Sequence, residues 1–526
     1  MTGLVLLVAC ANLANLMLAR ATAREREVAV RLAIGASRRR IVRQMLSESL
    51  LIAAIGAGGG VLVAQWFSRS LVAFLSTSDS PLFVDLVLDW RVFAFTATVA
   101  IAACLLFGLT PAIRATGASP GATMKAGSRG VTDGRERFGV RRALVVLQVA
   151  LSLVLVVGAL LFARSLRNLT AMDPGFRQDG VLSVSLDLRK ANVAPDARMA
   201  MNARILERVK GVPGVIAAAP SFTTPVGGNF WNNRVLIGGA IQKEAVNFNA
   251  VGSGYFDALG MRLVAGRDFD ARDTPQSPKA AIVTEAFVKK YFAARDALGQ
   301  SFQIEEGAGR PRPFYQIVGV VKDTKYTDLR EPFTPLAHLA TSQDGDPGQS
   351  LQIVVRADTA MAGVTAAITR AISEVNPTIA IQYQAVKTQV QQSLLRERLM
   401  ATLSGFFGGL AVLIATIGLY GVMSYMVARR RIEIGVRMAL GADRAAVVQM
   451  IVREAAVLLV AGLAVGAVLS VFAARTADTF LYGLTPGDPV TLALAMAGLA
   501  AVTLFASWVP ARRASRLAPT VALREE

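Results

Sequence analysis

The ionisable and nucleophilic residues of this 526-residue chain are spaced for holding rather than for reacting. His338 is the single histidine. It has no second imidazole with which to share a metal or a proton relay, and reads as a surface or packed residue. Cys10 and Cys104 both lie in apolar runs, at a spacing that suits neither a disulfide framework nor a metal site. Asp257, Asp268, Asp270 and Glu285 lack a spacing that would pair a general acid with a general base, so surface solvation is their default. No G-x-x-x-x-G-K-[ST] loop occurs, so no P-loop brings nucleotide chemistry. The expectation is a chain with no catalytic residue, no bound cofactor and no metal site of its own.

What does recur at a fixed spacing is a Glu–Arg pair followed by a Gly-Ala break. EVAVRLAIGASRRR (27–40) is echoed by EIGVRMALGADRAA (433–446), and a shift of 406 positions aligns 27–48 with 433–454 at nine identities. Glu27 and Arg31 stand four apart, as do Glu433 and Arg437. Acid before base at that spacing adds about 0.2–0.5 kcal/mol to a helix. Gly35-Ala36 and Gly441-Ala442 then stop the helix, and Ser37 and Asp443 are N-cap residues for the next. Each copy is predicted as an elbow, in which a membrane helix continues through 20–34 or 427–440, breaks, and turns into a second helix. Arg38, Arg39 and Arg40 open that second helix in the first copy, against one arginine, Arg444, in the second. Cations are disfavoured at the positive end of a helix dipole. They point to an anionic partner there, lipid phosphate or an acidic protein surface.

The elements that must position these elbows are membrane helices. Residues 1–19, 49–68, 92–113, 143–163, 399–428, 455–474 and 489–511 contain no Asp, Glu, Lys or Arg, and 53% of the chain is hydrophobic. About 20 apolar residues span a bilayer core, so seven spans are predicted. Segments 20–43, 114–142, 429–444 and 512–526 hold eight, seven, five and four Lys or Arg, whereas 76–90 and 476–489 hold none. The positive-inside bias places the basic segments in the cytoplasm and the polar stretch 169–395 outside. The net charge of +19 is then partly topological, favoured by anionic headgroups, and does not call for nucleic acid. Gly58, Gly59, Gly60, Gly405, Gly408 and Gly409 would allow close helix packing. The spans are nearly free of ionisable groups, which disfavours an ion-coupled secondary transporter.

A second repeat, at offset 399, relates LTPAIRATGASPGATMK from Leu109 to WVPARRASRLAPTVALR from Trp508. The expected organisation is therefore a duplication. Residues 1–113 form a first unit of three helices, 114–142 a cytoplasmic linker, 143–168 a helix, and 169–395 an outer domain. Residues 396–511 form a second three-helix unit and 512–526 a cytoplasmic tail. Met1 falls inside the counterpart of a membrane helix, so a leading helix and a first outer domain are expected to be missing. In 169–395, strand-like 180–188, amphipathic helix 197–215 and strand 215–221 precede a turn-rich middle. Strand 351–357, helix 364–377 and strand 379–386 follow it. The fold class is thus a multi-pass α-helical membrane protein of about seven helices, with an α+β outer domain of two βαβ-like pieces around a β-rich insert. Phe230 and Trp231, after Gly227-Gly228, read as a packed turn tip or an exposed contact.

These segments resemble the FtsX/MacB-type ABC-transporter permeases. The family's E-x-x-x-R-x-A-x-G-A core is met by Glu27, Arg31, Ala33, Gly35 and Ala36 and again by Glu433, Arg437, Ala439, Gly441 and Ala442. Its P-A-x-x-A…P…A-L-R ending resembles both exits, the first departing from it at the last positions. GYFDALGMRLVAGRDF (254–269), AAIVTEAFVKKYF (280–292) and YQIVGVVKDTKYTDLREP (315–332) look like the MacB-like periplasmic core domain. Two units in one chain are similar to the duplicated orphan permeases. The resemblance implies an inner-membrane protein with 169–395 in the periplasm and a separate ABC ATPase that binds ATP and docks on the elbows. It also implies a partner of the outer domain in the periplasm or outer membrane. Its function would be mechanotransmission for export or efflux; regulation of a periplasmic partner without transport remains the alternative.

Overall fold

The computed structural model describes residues 2–23, 31, 34, 36–75, isolated positions between 90 and 102, and then 133–292, 296–305, 312–344, 347–358, 361–440 and 443–515. They fall into two compact units, one running to Asn168 and resuming at Glu397, the other Leu169–Arg396. In chain order the first elements are α1 (Thr2–Ala23), α2 (Arg38–Leu75) and α3 (Asp133–Ala171).

The Leu169–Arg396 unit begins β1 (Val181–Asp187), α4 (Pro195–Lys210) and β2 (Val215–Ser221). Gly211 caps α4 with its amide on the Glu207 carbonyl. A β-rich portion follows: β3 (Trp231–Ile237), β4 (Ala240–Val251), α5 (Tyr255–Ala258), β5 (Leu263–Gly266), β6 (Lys279–Thr284), α6 (Glu285–Tyr291), β7 (Ser301–Ile304), β8 (Phe314–Val321) and β9 (Leu336–Ala340). The unit closes with β10 (Ser350–Ala357), α7 (Met361–Ser373), β11 (Ala380–Ala385) and α8 (Val386–Ser393).

The two βαβ-like pieces differ from expectation in one respect: they interleave. The sheet order is β11-β1-β10-β2, with every neighbouring pair antiparallel. Each piece therefore accepts a strand of the other between its own two. Helices α4 and α7 cover this sheet because their apolar residues recur every four positions, at Ile205 and Val209 and at Val364, Ile368 and Ile372, over Val184, Ile353 and Val355. Among the described residues the sheet passes into the β-rich portion where β2 meets β4, in register at Ser221 with Val251, and that portion has its own core around Phe248, Phe287, Phe302 and Ile317. Gly266, at φ +78°, lies where a Cβ would overlap the Val318 carbonyl, so β5 can approach β8 only with glycine there.

After this unit the chain continues as α9 (Leu395–Arg429), α10 (Arg431–Ala439), α11 (Arg444–Thr476) and α12 (Pro489–Ala514). Four helices of the described residues are long and apolar enough to cross a membrane: 142–171, 395–428, 444–476 and 489–514. The run 49–68 lies within α2 and 2–19 within α1, while 92–113 falls almost wholly outside the described residues. The chain is a multi-pass membrane protein with an α+β domain outside the spans. Within the bundle, α3 is the most enclosed of the four, with Val149 and Leu153 packed among Leu419, Met423, Leu459 and Leu463. Of the glycines expected to permit close packing, Gly408 does so among the described residues; two that were not expected pack more tightly. Gly462 faces Val149 and Gly466 faces Ala150 at distances that leave no room for a Cβ. Gly408 lies close to Ala159, but Gly58, Gly59, Gly60, Gly405 and Gly409 face open space among the described residues. A glycine tightens packing only on the face that meets a helix, and spacing alone does not identify that face.

Candidate functional site

The second elbow is the more fully described. Helix α9 does not run on through residue 440, as its polar continuation suggested. It stops at Arg429, and Arg430 adopts φ −99°, ψ 15° with its amide shared between the Met426 and Val427 carbonyls. The separate α10 follows. Its Glu433 and Arg437 pair at 2.7 Å, and the Leu440 amide closes its last turn on the Val436 carbonyl. Gly441 and Ala442 lie outside the described residues. Asp443 is the extended residue before α11, yet its carboxylate makes no capping hydrogen bond; its carbonyl accepts from Ala446. Arg444 opens α11 and is exposed.

The first elbow repeats the restart of the second helix, with the Ser37 carbonyl in the place of the Asp443 carbonyl. Helix α2 begins at Arg38 and α11 at Arg444, positions that the 406 shift superposes. The Ala36 amide bonds to the Arg31 carbonyl, and the Ser37 carbonyl accepts from Arg40. Arg39 and Arg40 are exposed. Glu27 and Gly35 lie outside the described residues. The Arg31 guanidinium donates to Gln44 Oε1 at 3.3 Å. Arg437 reaches Met450 Sδ at 2.8 Å, and Met450 is the register equivalent of Gln44. In both copies, then, the arginine staples one arm of the elbow to the other. At the tips stand Ile34 and Leu440, also register equivalents, at 82% and 83% exposure. Each elbow thus bares one apolar side chain at the same register position, with the exposed Arg39 and Arg40 or Arg444 a few residues on.

A residue that sequence reasoning passed over ties the second elbow to the bundle. Glu454, on α11 and 19% exposed, accepts from Arg430 at 3.0 Å and from Arg142 of α3 at 2.5 Å. Charges of α3 and α11 thus meet the arginine of the break. The signal was present: Glu48 aligns with Glu454 as the last of the nine identities, and Arg24 aligns with Arg430. At the other end of α3, Arg164 pairs with Asp488, the N-cap of α12. Ser165 accepts from the Tyr482 amide at 2.9 Å. The Thr491 hydroxyl and amide, with Arg164, hold the Asp488 carboxyl below the usual carboxylate range. Helix α3 is fixed at both ends to the second three-helix unit.

In the Leu169–Arg396 unit, the crossing from β2 to β3 carries Val226 at φ +61°, a costly conformation for a β-branched residue. It is held from both sides. The Val226 amide donates to the Tyr326 carbonyl, and Gln389 of α8 donates to Thr224 Oγ1 at 3.0 Å and to the Pro225 carbonyl at 2.8 Å. Gln389→Ala would leave both acceptors buried without their donor. We expect a loss of about 2 kcal/mol from this unit, read as earlier proteolysis within 222–228 on heating.

His338 is a packed residue. It lies edge to face with Phe256 at 5.0 Å and beside Tyr255, its ring nitrogens make no hydrogen bond among the described residues, and burial pulls its pKa down to about 3. The carboxylates have structural partners: Asp257 pairs with Arg356, Asp270 with Arg272 and Arg267, and Asp268 accepts from the Gly254 and Phe269 amides. Glu285 opens α6. Phe230 is exposed, whereas Trp231 packs on Phe248 at 5.0 Å, so the two divide the alternatives between them.

Residues 1–120 and 405–519 match the FtsX-like permease C-terminal family, and residues 143–371 match the MacB-like periplasmic core domain. The macrolide export ATP-binding/permease protein MacB of Neisseria meningitidis is 26% identical over 290 residues, 52% of this chain and 43% of that protein. The MacB of Sodalis glossinidius is 28% identical over 305 residues, 53% and 44%. The chain spans about half the length of the curated relatives it matches. Among solved structures, the periplasmic region of MacB from Actinobacillus actinomycetemcomitans superposes with a TM-score of 0.30 at 15% identity, over 43% of this chain and 97% of that one.

Proposed function

The chain belongs to the FtsX-like permeases that carry a MacB-like periplasmic core domain, and from that premise we propose that it is the permease subunit of an ABC-type exporter. A separate ATPase subunit docks on the two elbows, and ATP binding there moves the helices that lead to the outer domain. The curated relatives are named for macrolide export with an ATP-binding part in the same protein; here that part is assigned to another chain. The proposed topology has seven spans in the inner membrane, with 1–113 and 396–511 as permease units, 143–168 as a further helix, 114–142 and 512–526 in the cytoplasm, and 169–395 in the periplasm.

The observation that carries this reading is the paired elbow tip. Ile34 and Leu440 are bared at equivalent positions, three residues after the arginines that join the elbow arms and a few residues before the exposed cations Arg39, Arg40 or Arg444. Two equivalent docking points suit a dimeric partner. The greater basicity of the first makes the two points unequal, so the docked subunits would differ in affinity. The helix break at Arg430, held by Glu454, would pass the movement of α10 to α3. The experiment is affinity purification of the full chain from its native membrane. An ABC ATPase in stoichiometric amount supports the proposal, and a chain that exports cargo without one refutes it.

A further inference from the structure

The register that relates the two halves in sequence also pairs residues that touch in space. Helices α1 and α9, equivalent by the 406 shift, meet in a cluster built on Val5 and Ala411, with Leu155 of α3, and Leu4 and Leu410 packed against it. Val5 is the equivalent of Ala411, and Leu4 of Leu410. Equivalent helices meeting through equivalent residues are the mark of a two-fold contact.

Farther along the same seam, Asn12 lies on its own equivalent, Gly418. A Cβ at position 418 would come within 2.5 Å of Asn12 Oδ1 and 2.6 Å of Gln148 Nε2. Asn12 Nδ2 donates to the Ile414 carbonyl at 3.4 Å and Gln148 Nε2 to the same oxygen at 3.0 Å. Both side chains are buried, at 8% and 2% exposure. Ser152 donates to the Ala411 carbonyl one turn away. Where the axis crosses, one copy thus supplies an amide and the other supplies the space for it. Two asparagines would compete for one volume, and two glycines would leave a void beside the Ile414 carbonyl.

We propose that Asn12 and Gly418 are the specificity pair that joins the two halves of this chain to each other across an internal pseudo-two-fold axis. The partner of the first half is then the second half of the same molecule, not a second copy. The inference rests on the permease reading only in taking both halves as membrane units. Its readout needs no ATPase, so it can fail while the docking proposal stands, and the reverse.

The test uses the full chain in membranes, with Cys10→Ala and Cys104→Ala, and Val5→Cys with Ala411→Cys. Two differently tagged versions are expressed together and oxidised. The expected product is an intrachain disulfide at monomer mass. Gly418→Asn should slow its formation about fivefold, and adding Asn12→Gly should restore most of the rate, because it clears the Asn12 amide and leaves space into which the Gln148 amide, the other group a Cβ at 418 would meet, can turn. Membrane level and protease resistance of the Gly418→Asn protein separate this from misfolding, and rescue by the exchanged pair does so again. Disulfides formed mainly between the two tagged chains, no effect of Gly418→Asn, or a slowed rate that Asn12→Gly leaves unrestored would each overturn the proposal.

Discussion

Ile34→Asp together with Leu440→Asp is expected to reduce co-purifying ATPase by about a hundredfold while leaving the permease folded. Both side chains are more than four-fifths exposed, so neither contributes much to the isolated chain. Burying one such side chain in an interface is worth roughly 1.5–3 kcal/mol, and a carboxylate in its place adds a desolvation cost. Two sites together exceed the roughly 2.7 kcal/mol that a hundredfold change requires. Either single variant should retain part of the binding. The more basic first elbow makes Leu440→Asp the milder of the two for an acidic partner surface. The comparison with Arg31→Glu plus Arg437→Glu is informative. That pair should also abolish binding, but by a different route, since it removes the staples to Gln44 and Met450 and sets like charges on Glu433. Faster proteolysis of the elbows should accompany the arginine variants and not the Asp variants. Equal complex yield from all of them would remove the elbows as the docking surface.

Glu454→Ala is expected to destabilise the bundle by about 2 kcal/mol, from the loss of two charge-assisted hydrogen bonds discounted for the partial exposure of their arginines. More telling is what it should do to coupling. Without Glu454, Arg430 loses its link to Arg142, and α10 loses its ionic connection to α3. In a complex with ATPase bound, hydrolysis should continue while export falls at least about tenfold, the factor that 1.4 kcal/mol of coupling represents. Glu454→Asp should recover part of it; export that keeps pace with hydrolysis in Glu454→Ala would show that movement bypasses this contact.

Much of the elbow is legible in sequence because its ingredients are local. The Glu–Arg spacing, the break and the restart of a helix at Arg38 and Arg444 all fall within about a dozen residues, and the repeat marks them twice. What is not legible is held by distant partners. No glycine or proline announces the end of α9 at Arg429; the break is stabilised through Arg430 by Glu454, 24 positions on, and so belongs to tertiary structure. The interleaved sheet is similar. Strand β1 lies between β10 and β11, and a pairing across some 170 residues leaves no local trace beyond two hydrophobic runs. Gln389 and Thr224, 165 positions apart, likewise read as ordinary polar residues until they are seen to share a buried hydrogen bond. The glycines reveal the opposite failing: Gly58, Gly59 and Gly60 form the most conspicuous run and face open space among the described residues, whereas Gly408, Gly418, Gly462 and Gly466 each lie against a neighbouring helix.

The central claim is that ATP bound by another subunit at the cytoplasmic elbows changes the domain on the far side of the membrane. Hydrogen exchange on the assembled complex tests it directly, comparing nucleotide-free and ATP-trapped states. The account predicts altered protection at 222–228 and 386–393, where the strained Val226 crossing meets Gln389, and no alteration when Ile34→Asp and Leu440→Asp prevent docking. Identical exchange in those segments with and without trapped ATP, in a complex that hydrolyses it, would contradict the account.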